Sequence, residues 1–416
     1  MIIISDKVYV YSVGMTKFGK FLDKSIKDLT REALKSLQDD NNFDLKNIEA
    51  AWFSNTGWGM TDFQHSIRGQ VALTPNGVDK VPITNVENAC ASGSTAFNGA
   101  WTAIKAGVFD CALAIGTEKV YQEDRAKMMG GFITYTDVEM TRNMIAQMQK
   151  AAKEKAEKAA KSGEKKGEKK EGHSVFMDFY AAGARAHMKE YGTTQRQLAV
   201  IAAKNHNNST LNPFAQYTFP MTVDQVMEDY EVAYPLTRAM CAPVGDGSAA
   251  AILCSEEFLR EHPNDKAILV RASVLRSGSW SRDNVSERTS TAAYKMAGLS
   301  PKDINVAEVH DATAYGELEQ IEQMGFCPIG KGGPFSESGA TELGGTIPVN
   351  PSGGLLSRGH PLGASGLAQI YELVLQLRGD AGKRQVNKHK FALAENGGGT
   401  IGSGPAAMCV HILEAI

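Results

Sequence analysis

The amino-acid sequence predicts a layered α/β fold built from two similar halves. Short apolar, β-branched runs alternate with longer amphipathic stretches, which is typical of α/β layers. Two segments also resemble each other, because small residues lead into an apolar run in both GDGSAAAILCSEE, from Gly245, and GSGPAAMCVHILE, from Gly402. At 416 residues the chain is long for a single hydrophobic core, so a body of two parts is expected.

The strand candidates form two series of four short apolar runs. The first series comprises residues 7–13, 50–53, 111–116 and 249–254, and the second comprises residues 268–273, 306–309, 391–394 and 407–413. Helices are predicted in AFNGAWTAIKAG, from Ala96, and in LGASGLAQIYELVLQL, from Leu362. The sequence thus alternates the two element types that layered α/β folds require.

Composition and charge exclude several classes of function. The formal net charge of -3 gives no basic surface for nucleic acid or an anionic membrane, and no run reaches the ~18 apolar residues of a membrane span. The N-terminal stretch lacks the basic region and cleavage site of a signal peptide and is predicted to be a strand. The six cysteines show no metal-ligand or disulfide spacing. We therefore expect free thiols in a reducing, cytoplasmic compartment, with no metal.

Residues 150–172 depart from the layered pattern. Their sequence, KAAKEKAEKAAKSGEKKGEKKEG, consists almost entirely of Lys, Glu, Ala and Gly and has no apolar face. Such a segment cannot bury a core, so it predicts a solvated helix followed by a mobile, glycine-containing end. A specific docking arm, or a shield over a site entrance, is the alternative.

The segment Asn85–Phe97 contains the first candidate catalytic residue. An extended stretch, VPITNVE, gives way to small residues and then to a predicted helix, which places Cys90 at the helix N-terminus. Unpaired backbone N–H groups and the helix dipole favour a thiolate there. An inert buried thiol is the competing interpretation, and a nucleophile would need catalytic partners.

Polar, turn-forming motifs in the C-terminal half could supply those partners. They are EVHDAT at Glu308, PVNPSGG at Pro348, SRGHPLGASG at Ser357 and AENGGGTIG at Ala394. His360 lies between Gly359 and Pro361 in a rigid turn before a helix, which suits a base that activates a thiol. The glycines of 395–402 suit an oxyanion hole, since a phosphate loop would need a Lys-Ser/Thr ending that is absent here.

Together these motifs resemble the thiolase family, and within it the sterol-carrier-protein-2 thiolases and the archaeal acetoacetyl-CoA thiolases. The resemblance covers nearly the whole chain. It rests on VGMTKFGK near the start, NACASGSTA around Cys90, FYAAGARAHMKEYGTT, NHNNSTLNPFAQY, CAPVGDGSAAAIL, HDAT and GHPLGASG.

The resemblance implies a thiolase fold, with two stacked βαβαβαββ halves in five layers, αβαβα, and an inserted loop domain. By this resemblance residues 1–118 and 241–265 would form the N-terminal half, and residues 266–416 the C-terminal half. The loop domain would span residues 119–240 and contain the Lys-rich segment. A homodimer or a dimer of dimers would be the assembly.

The same resemblance implies the chemistry and the site residues. Cys90 would attack a β-ketoacyl-CoA and carry the acyl group, with coenzyme A as a substrate. His360 would activate Cys90 and help to bind a thioester oxygen, while His310 would hold a water or a donor in the same oxyanion hole. The backbone N–H groups of Cys90 and Gly397 would form a second oxyanion hole.

One departure from the family pattern concerns the second acid/base, which is usually a cysteine. Glu395 stands where the cysteine of a C-x-G motif would fall, and Ala312 where that of an H-D-C-F motif would fall. A partly desolvated glutamate with a raised pKa can move the same proton. The alternative is a paired glutamate that only orients the loop.

This departure leaves the substrate and the reaction open. We expect a thiolase for a branched or aromatic acyl-CoA, such as benzoylsuccinyl-CoA. A retro-aldolase on a thiolase scaffold and a noncatalytic lipid-binding subunit are the alternatives. The family also suggests a small zinc-ribbon and OB-fold partner subunit. Arg238 and Arg358 are candidate anion partners by charge alone.

Overall fold

The computed structural model describes residues 7–124, 128, 130–147, 150, 175–281, 283–402 and 404–416. The predicted Lys-rich segment therefore lies outside the described residues, apart from its first residue, Lys150, which is helical. None of the helices within these ranges has the length and apolar character needed to cross a membrane.

The elements of residues 8–118 form most of the first half. In order, the elements are β1 (Val8–Met15), α1 (Ile26–Asn41), β2 (Ala50–Ser54), α2 (Trp58–Asp62), α3 (Arg68–Leu73), β3 (Ile83–Val86), α4 (Ser92–Lys105) and β4 (Cys111–Glu118). The helix α1 begins with a capping box in which the Ser25 side chain accepts from the backbone of Asp28 and Asp28 returns the bond.

A long excursion separates β4 from the last strand of the first half. It contains a helical segment at 138–147, α5 (Val175–Tyr191), α6 (Gln195–Ser209), α7 (Val223–Glu228), β5 (Glu231–Ala233) and β6 (Leu236–Thr237). The chain returns to the sheet in β7 (Gly247–Ser255), and α8 (Glu256–Glu261) follows.

The second half follows α8 along the chain. Its elements are β8 (Ile268–Ser277), α9 (Val285–Ala297), β9 (Val306–Glu308), α10 (Ala314–Gln323), α11 (Gly332–Glu337), α12 (Gly354–Arg358), α13 (Leu362–Arg378), β10 (Phe391–Ile401) and β11 (Gly404–Ala415). All eight predicted strands are present. The glycine-rich run 395–402, expected to be a loop, continues β10 as far as Ile401.

The strands of both halves join in one nine-stranded sheet with the order β3-β2-β4-β7-β1-β8-β11-β10-β9. The halves meet through a short pairing, in which Tyr9 lies opposite Leu269 and Val10 opposite Ile268. The second half lacks a full third strand. At that place Val349 forms a single parallel bridge to Ala307.

Two central helices, α13 and α4, form the middle layer of the fold. The helix α13 packs against β4 and β7 of the first half and against β10 and β9 of the second, and α4 packs beside it. On the outer faces, α1 covers β1 and β7, while α9 covers β8 and β11. The five-layered α/β arrangement predicted from the sequence is confirmed.

The composition of α13 explains its central position. Fourteen of its 17 residues are buried, and they include small ones such as Gly363, Ala364 and Gly366 that allow other backbone to approach closely. Fourteen buried residues out of 17 occupy all sides of a helix, so protein surrounds α13. Its N-terminus therefore lies deep between the two halves.

We expect Gly14→Ala to destabilise the fold, because β1 and α1 are in close backbone contact at this residue. A Cβ atom would lie 2.4 Å from Leu37 N and 2.5 Å from Ala33 O. Overpacking of this kind costs about 1–3 kcal/mol, which urea denaturation would detect. Gly344→Ala is the control, because a Cβ there meets nothing within 4 Å. Equal unfolding midpoints for the two variants would contradict the prediction.

Candidate active site

One cavity of about 370 Å³ contains all four side chains that the sequence analysis selected. Cys90, His310, His360 and Glu395 line it, together with Gly397, Gly398 and Gly399. Its volume is in the range of small-molecule sites. The residues come from both halves, so the cavity lies where the halves meet.

A strained turn presents Cys90. The preceding residue, Ala89, has a positive φ of 49°, and α4 begins two residues after the cysteine. The Ser92 hydroxyl donates to Ala89 O at 2.6 Å and accepts from the Asn88 N–H at 2.8 Å, which holds the turn. Strain of this kind persists only where the surroundings impose it, as at functional sites.

The glycine-rich end of β10 packs directly against this turn. A Cβ on Gly398 would lie 2.2 Å from Asn88 O and 2.5 Å from Ala91 N. Glycine is therefore needed for the close approach of two main chains. This approach brings the Gly399 N–H to the Cys90 thiol, alongside the N–H of Cys90 itself. Gly397, the donor expected from the sequence, lines the same cavity opposite Met408 in the β-ladder.

His360 lies beside the thiol with a fixed tautomer. Its Nε2 is 3.3 Å from Cys90 Sγ, and its Nδ1 is 2.7 Å from Ser365 Oγ. The Ser365 hydroxyl donates to Pro361 O at 2.9 Å, so it can only accept from Nδ1–H. The unprotonated Nε2 therefore faces the thiol, as a base requires.

His310 has the opposite tautomer. Asn396 donates from Nδ2 to His310 Nδ1 at 3.0 Å, which leaves the hydrogen on Nε2 as a donor. Burial lowers the pKa of His310 to about 4, so this ring is neutral. Its centroid lies 5.3 Å from that of His360. Sequence analysis identified neither Ser365 nor Asn396, although both lie within the motifs it selected.

Cys90, His310 and His360 form a compact group. One ligand atom from each lies within 4.8 Å of the others, so among the described residues they could also hold a metal ion. An unprotonated Nε2 directed at a thiol favours the interpretation as a nucleophile with its base.

Burial keeps the Cys90–His360 pair uncharged. It raises the pKa of Cys90 to about 12, and the Glu118 carboxylate adds to this, while the N–H groups of Cys90 and Gly399 oppose it. Burial, with His310 and Arg358 nearby, holds the pKa of His360 well below its usual range. At neutral pH the pair is therefore a thiol and a neutral imidazole.

Glu395 has one free carboxyl oxygen at the cavity. Its Oε2 accepts from the His310 N–H at 2.7 Å, while Oε1 is buried and has no hydrogen-bond partner among the described residues. Burial raises the pKa of Glu395 to about 8, and the Glu319 carboxylate adds to this. Glu395 is therefore mostly protonated at pH 7 and has an oxygen available to a ligand.

Buried polar contacts position the two histidine loops. The Asp311 carboxylate accepts the N–H groups of Leu355 and Leu356 at the start of α12. Arg358 bonds Glu308 at 3.0 Å, and both side chains are buried. Arg238 bonds Asp229 at 2.7 Å. Both arginines suggested as anion partners therefore already pair with a carboxylate.

Six aromatic side chains line the cavity. They are Phe132, Tyr135, Phe176, Phe179, Tyr180 and Tyr315, and five of the six come from the excursion between β4 and β7. Lysine and arginine are absent from the wall, as far as the described residues define it. The cavity thus suits a neutral, apolar ligand.

Both halves of the chain match known family domains. Residues 8–257 match "Thiolase, N-terminal domain", and residues 272–414 match "Thiolase C-terminal domain-like". Together these matches cover most of the chain.

Similar proteins have been named in archaea and vertebrates. An acetyl-CoA acetyltransferase of Methanothermobacter thermautotrophicus is 37% identical over 415 residues, which cover 98% of this chain and 99% of the relative. Sterol carrier protein 2 of Bos taurus is 36% identical over 407 residues, which cover 94% of this chain and 70% of the relative.

Two solved structures share the fold at low identity. The Ltp2-ChsH2(DUF35) aldolase has a TM-score of 0.75 and 20% identity, and the match covers 99% of both chains. Human mitochondrial 3-ketoacyl-CoA thiolase in complex with CoA has a TM-score of 0.68 and 17% identity, with 99% of this chain and 98% of that chain covered.

We expect alkylation of Cys90 by iodoacetamide to accelerate through pH 10 without a plateau. Iodoacetamide reacts with the thiolate, which stays scarce at pH 7 when the pKa is about 12. Peptide mass spectrometry would follow the rate, with glutathione as the control thiol. A plateau below about pH 8 would contradict the prediction, because it would indicate a thiolate–imidazolium pair in the resting protein.

Proposed function

The chain belongs to the thiolase family of acyltransferases, and we propose that it makes or breaks a β-ketoacyl-CoA through an acyl group carried on Cys90. One observation carries this proposal. The thiol of Cys90, the unprotonated Nε2 of His360 and the free oxygen of a protonated Glu395 face one cavity. These are the nucleophile, base and acid that Claisen cleavage needs.

Cleavage would begin when His360 Nε2 takes the proton of the Cys90 thiol. The sulfur attacks the β-keto carbon, and the new oxyanion accepts hydrogen bonds from backbone N–H groups. We assign these to Cys90 and, within the 397–399 run, to Gly397 or Gly399. Removing one such donor typically slows a reaction ~10²–10³-fold.

Collapse of this intermediate would break the bond between the α- and β-carbons. The electron pair passes to the CoA thioester as an enolate, whose oxygen accepts from Nε2–H of His310 and from the protonated His360. Glu395 gives its proton to the α-carbon, and an acyl–CoA product leaves. The acyl group remains on Cys90.

A second CoA would complete the cycle. Its thiol gives a proton to Glu395 and attacks the acyl group, and the Cys90 sulfur recovers its proton from His360. Every group then has its starting protonation state. The synthetic direction reverses the same steps.

We propose that the acyl group is bulky, neutral and branched or aromatic. Six aromatic side chains line the cavity, and no lysine or arginine lines its described part. Benzoylsuccinyl-CoA would leave a benzoyl group on Cys90, but its succinyl part carries a carboxylate for which the described lining residues offer no lysine or arginine. A neutral aryl ketone therefore fits the cavity better.

A retro-aldolase is the second candidate function. The absence of the family's second cysteine and the fold shared with the Ltp2-ChsH2(DUF35) aldolase favour it. An aldolase would form no acyl-enzyme and use no free CoA. A homodimer or dimer of dimers, and a small zinc-ribbon partner, remain proposals that light scattering and co-purification would test.

We expect a covalent adduct on Cys90 after incubation with a suitable β-ketoacyl-CoA. Intact-protein mass spectrometry with acetoacetyl-, branched and aryl-ketoacyl-CoA esters would show it, and the added mass identifies the acyl group. The Cys90→Ala protein should show no adduct. Binding of the esters without any adduct would exclude the thiolase mechanism and favour the aldolase.

We expect Glu395→Gln to slow thiolysis about 10²–10⁴-fold, because glutamine cannot protonate the α-carbon. Transfer of an acetyl group from acetyl-CoA to Cys90 should slow less than thiolysis, because the departing CoA thiolate is a far weaker base than an enolate and depends less on the Glu395 proton. In the wild type, kcat/KM for thiolysis should fall as pH rises above about 8, because the acid form of Glu395 is lost there. The exposed Glu257→Gln is the control variant. Full activity of Glu395→Gln would assign Glu395 to orienting the loop instead.

A further inference from the structure

We propose that the acyl group is an aryl ring bearing a hydroxyl, which hydrogen-bonds Gln320 and Glu319 at the wall of the cavity formed by α10. This inference rests on the proposed function and specifies its substrate class. A polar cluster of three side chains, Tyr315, Glu319 and Gln320, carries it. All three line the same cavity as Cys90.

Gln320 provides the main observation. Its side chain is 6% exposed, and its Oε1 is buried without a hydrogen-bond partner among the described residues. Buried polar atoms nearly always have a partner, because leaving one unpaired is unfavourable. An unpartnered acceptor at a ligand cavity indicates that the ligand brings a donor.

Glu319 and Tyr315 complete the polar cluster along one turn of α10. The Tyr315 hydroxyl donates to Glu319 Oε1 at 3.3 Å. Glu319 lines the cavity, so a ligand bound there can contact its side chain. It also influences Glu395 and Tyr180 electrostatically, which places it in the same enclosed space as the proposed chemistry.

The chemistry of the cluster selects a hydroxyl over charged groups. A carboxylate on the ligand would lose its hydration in the cavity and find no lysine or arginine among the described lining residues. An ammonium would lose its hydration in an aromatic enclosure where burial favours the neutral form of Glu319. A hydroxyl can donate to Gln320 Oε1 while its ring packs against the aromatic wall.

Binding to the Cys90→Ala protein tests this inference without catalysis. Isothermal titration calorimetry would compare 3-oxo-3-phenylpropanoyl-CoA with its 3-hydroxyphenyl and 4-hydroxyphenyl analogues. We expect at least one hydroxylated ester to bind tenfold more tightly or better, because a site built for a hydroxyl discriminates strongly against its absence.

Two substitutions test which residues cause the preference for a hydroxylated ester. In the Cys90→Ala background, Gln320→Leu should bring the three esters to nearly equal affinity, and Glu319→Gln should reduce the preference. Gln323→Leu is the matched control, because Gln323 is on the same helix but outside the cavity and bonds Asn284. It should keep the full preference. Thermal melting confirms that each variant is folded.

The outcomes separate this inference from the proposed function. Equal affinity for all esters would overturn the inference, and it would be expected if an ordered water already donated a hydrogen bond to Gln320. Failure to bind any of the esters would also overturn it. A preference that survives both Gln320→Leu and Glu319→Gln would overturn it as well. A preference that depends on Gln320, without any Cys90 adduct in the wild type, would support this inference while the proposed chemistry fails.

Discussion

The buried carboxylate of Glu118 holds the two halves of the site together. It accepts the N–H groups of Thr56 and Gly57 from the first half and that of Gly363 from the second, all at 2.9–3.0 Å. A buried charge is tolerated only with such partners. Separating these segments would therefore remove hydrogen bonds on which the Glu118 carboxylate depends. Gly363 is the second residue of α13 and lies three residues after His360. The bond therefore helps to hold His360 beside Cys90, which lies two residues before α4.

A second constraint follows from the depth at which this junction lies. Cys90, His310, His360 and Glu395 are all uncharged at neutral pH, and burial is the main cause for each. Charge would therefore appear in the cavity only while a bond is being made or broken. An enclosed, water-poor site strengthens each hydrogen bond to that transient charge.

Different parts of the fold contribute the site residues and the cavity wall. The two halves supply the proposed reacting groups near strand and helix ends. The excursion between β4 and β7 supplies five of the six aromatic residues in the wall, and α10 of the second half supplies the polar cluster around Gln320. Changes in the wall can therefore alter the preferred acyl group while the chemistry stays the same.

The sequence by itself determined the eight main strands and the α/β class, and it selected Cys90, His360 and the glycine-rich run, which line one cavity in the structure. Hydrophobic periodicity and turn residues are local, so they can be recognised without a structure. It could not determine the tautomers set by Ser365 and Asn396, the shortened third strand of the second half or the unpartnered Gln320. These depend on distances between residues remote in sequence and on the burial that only the packed halves create.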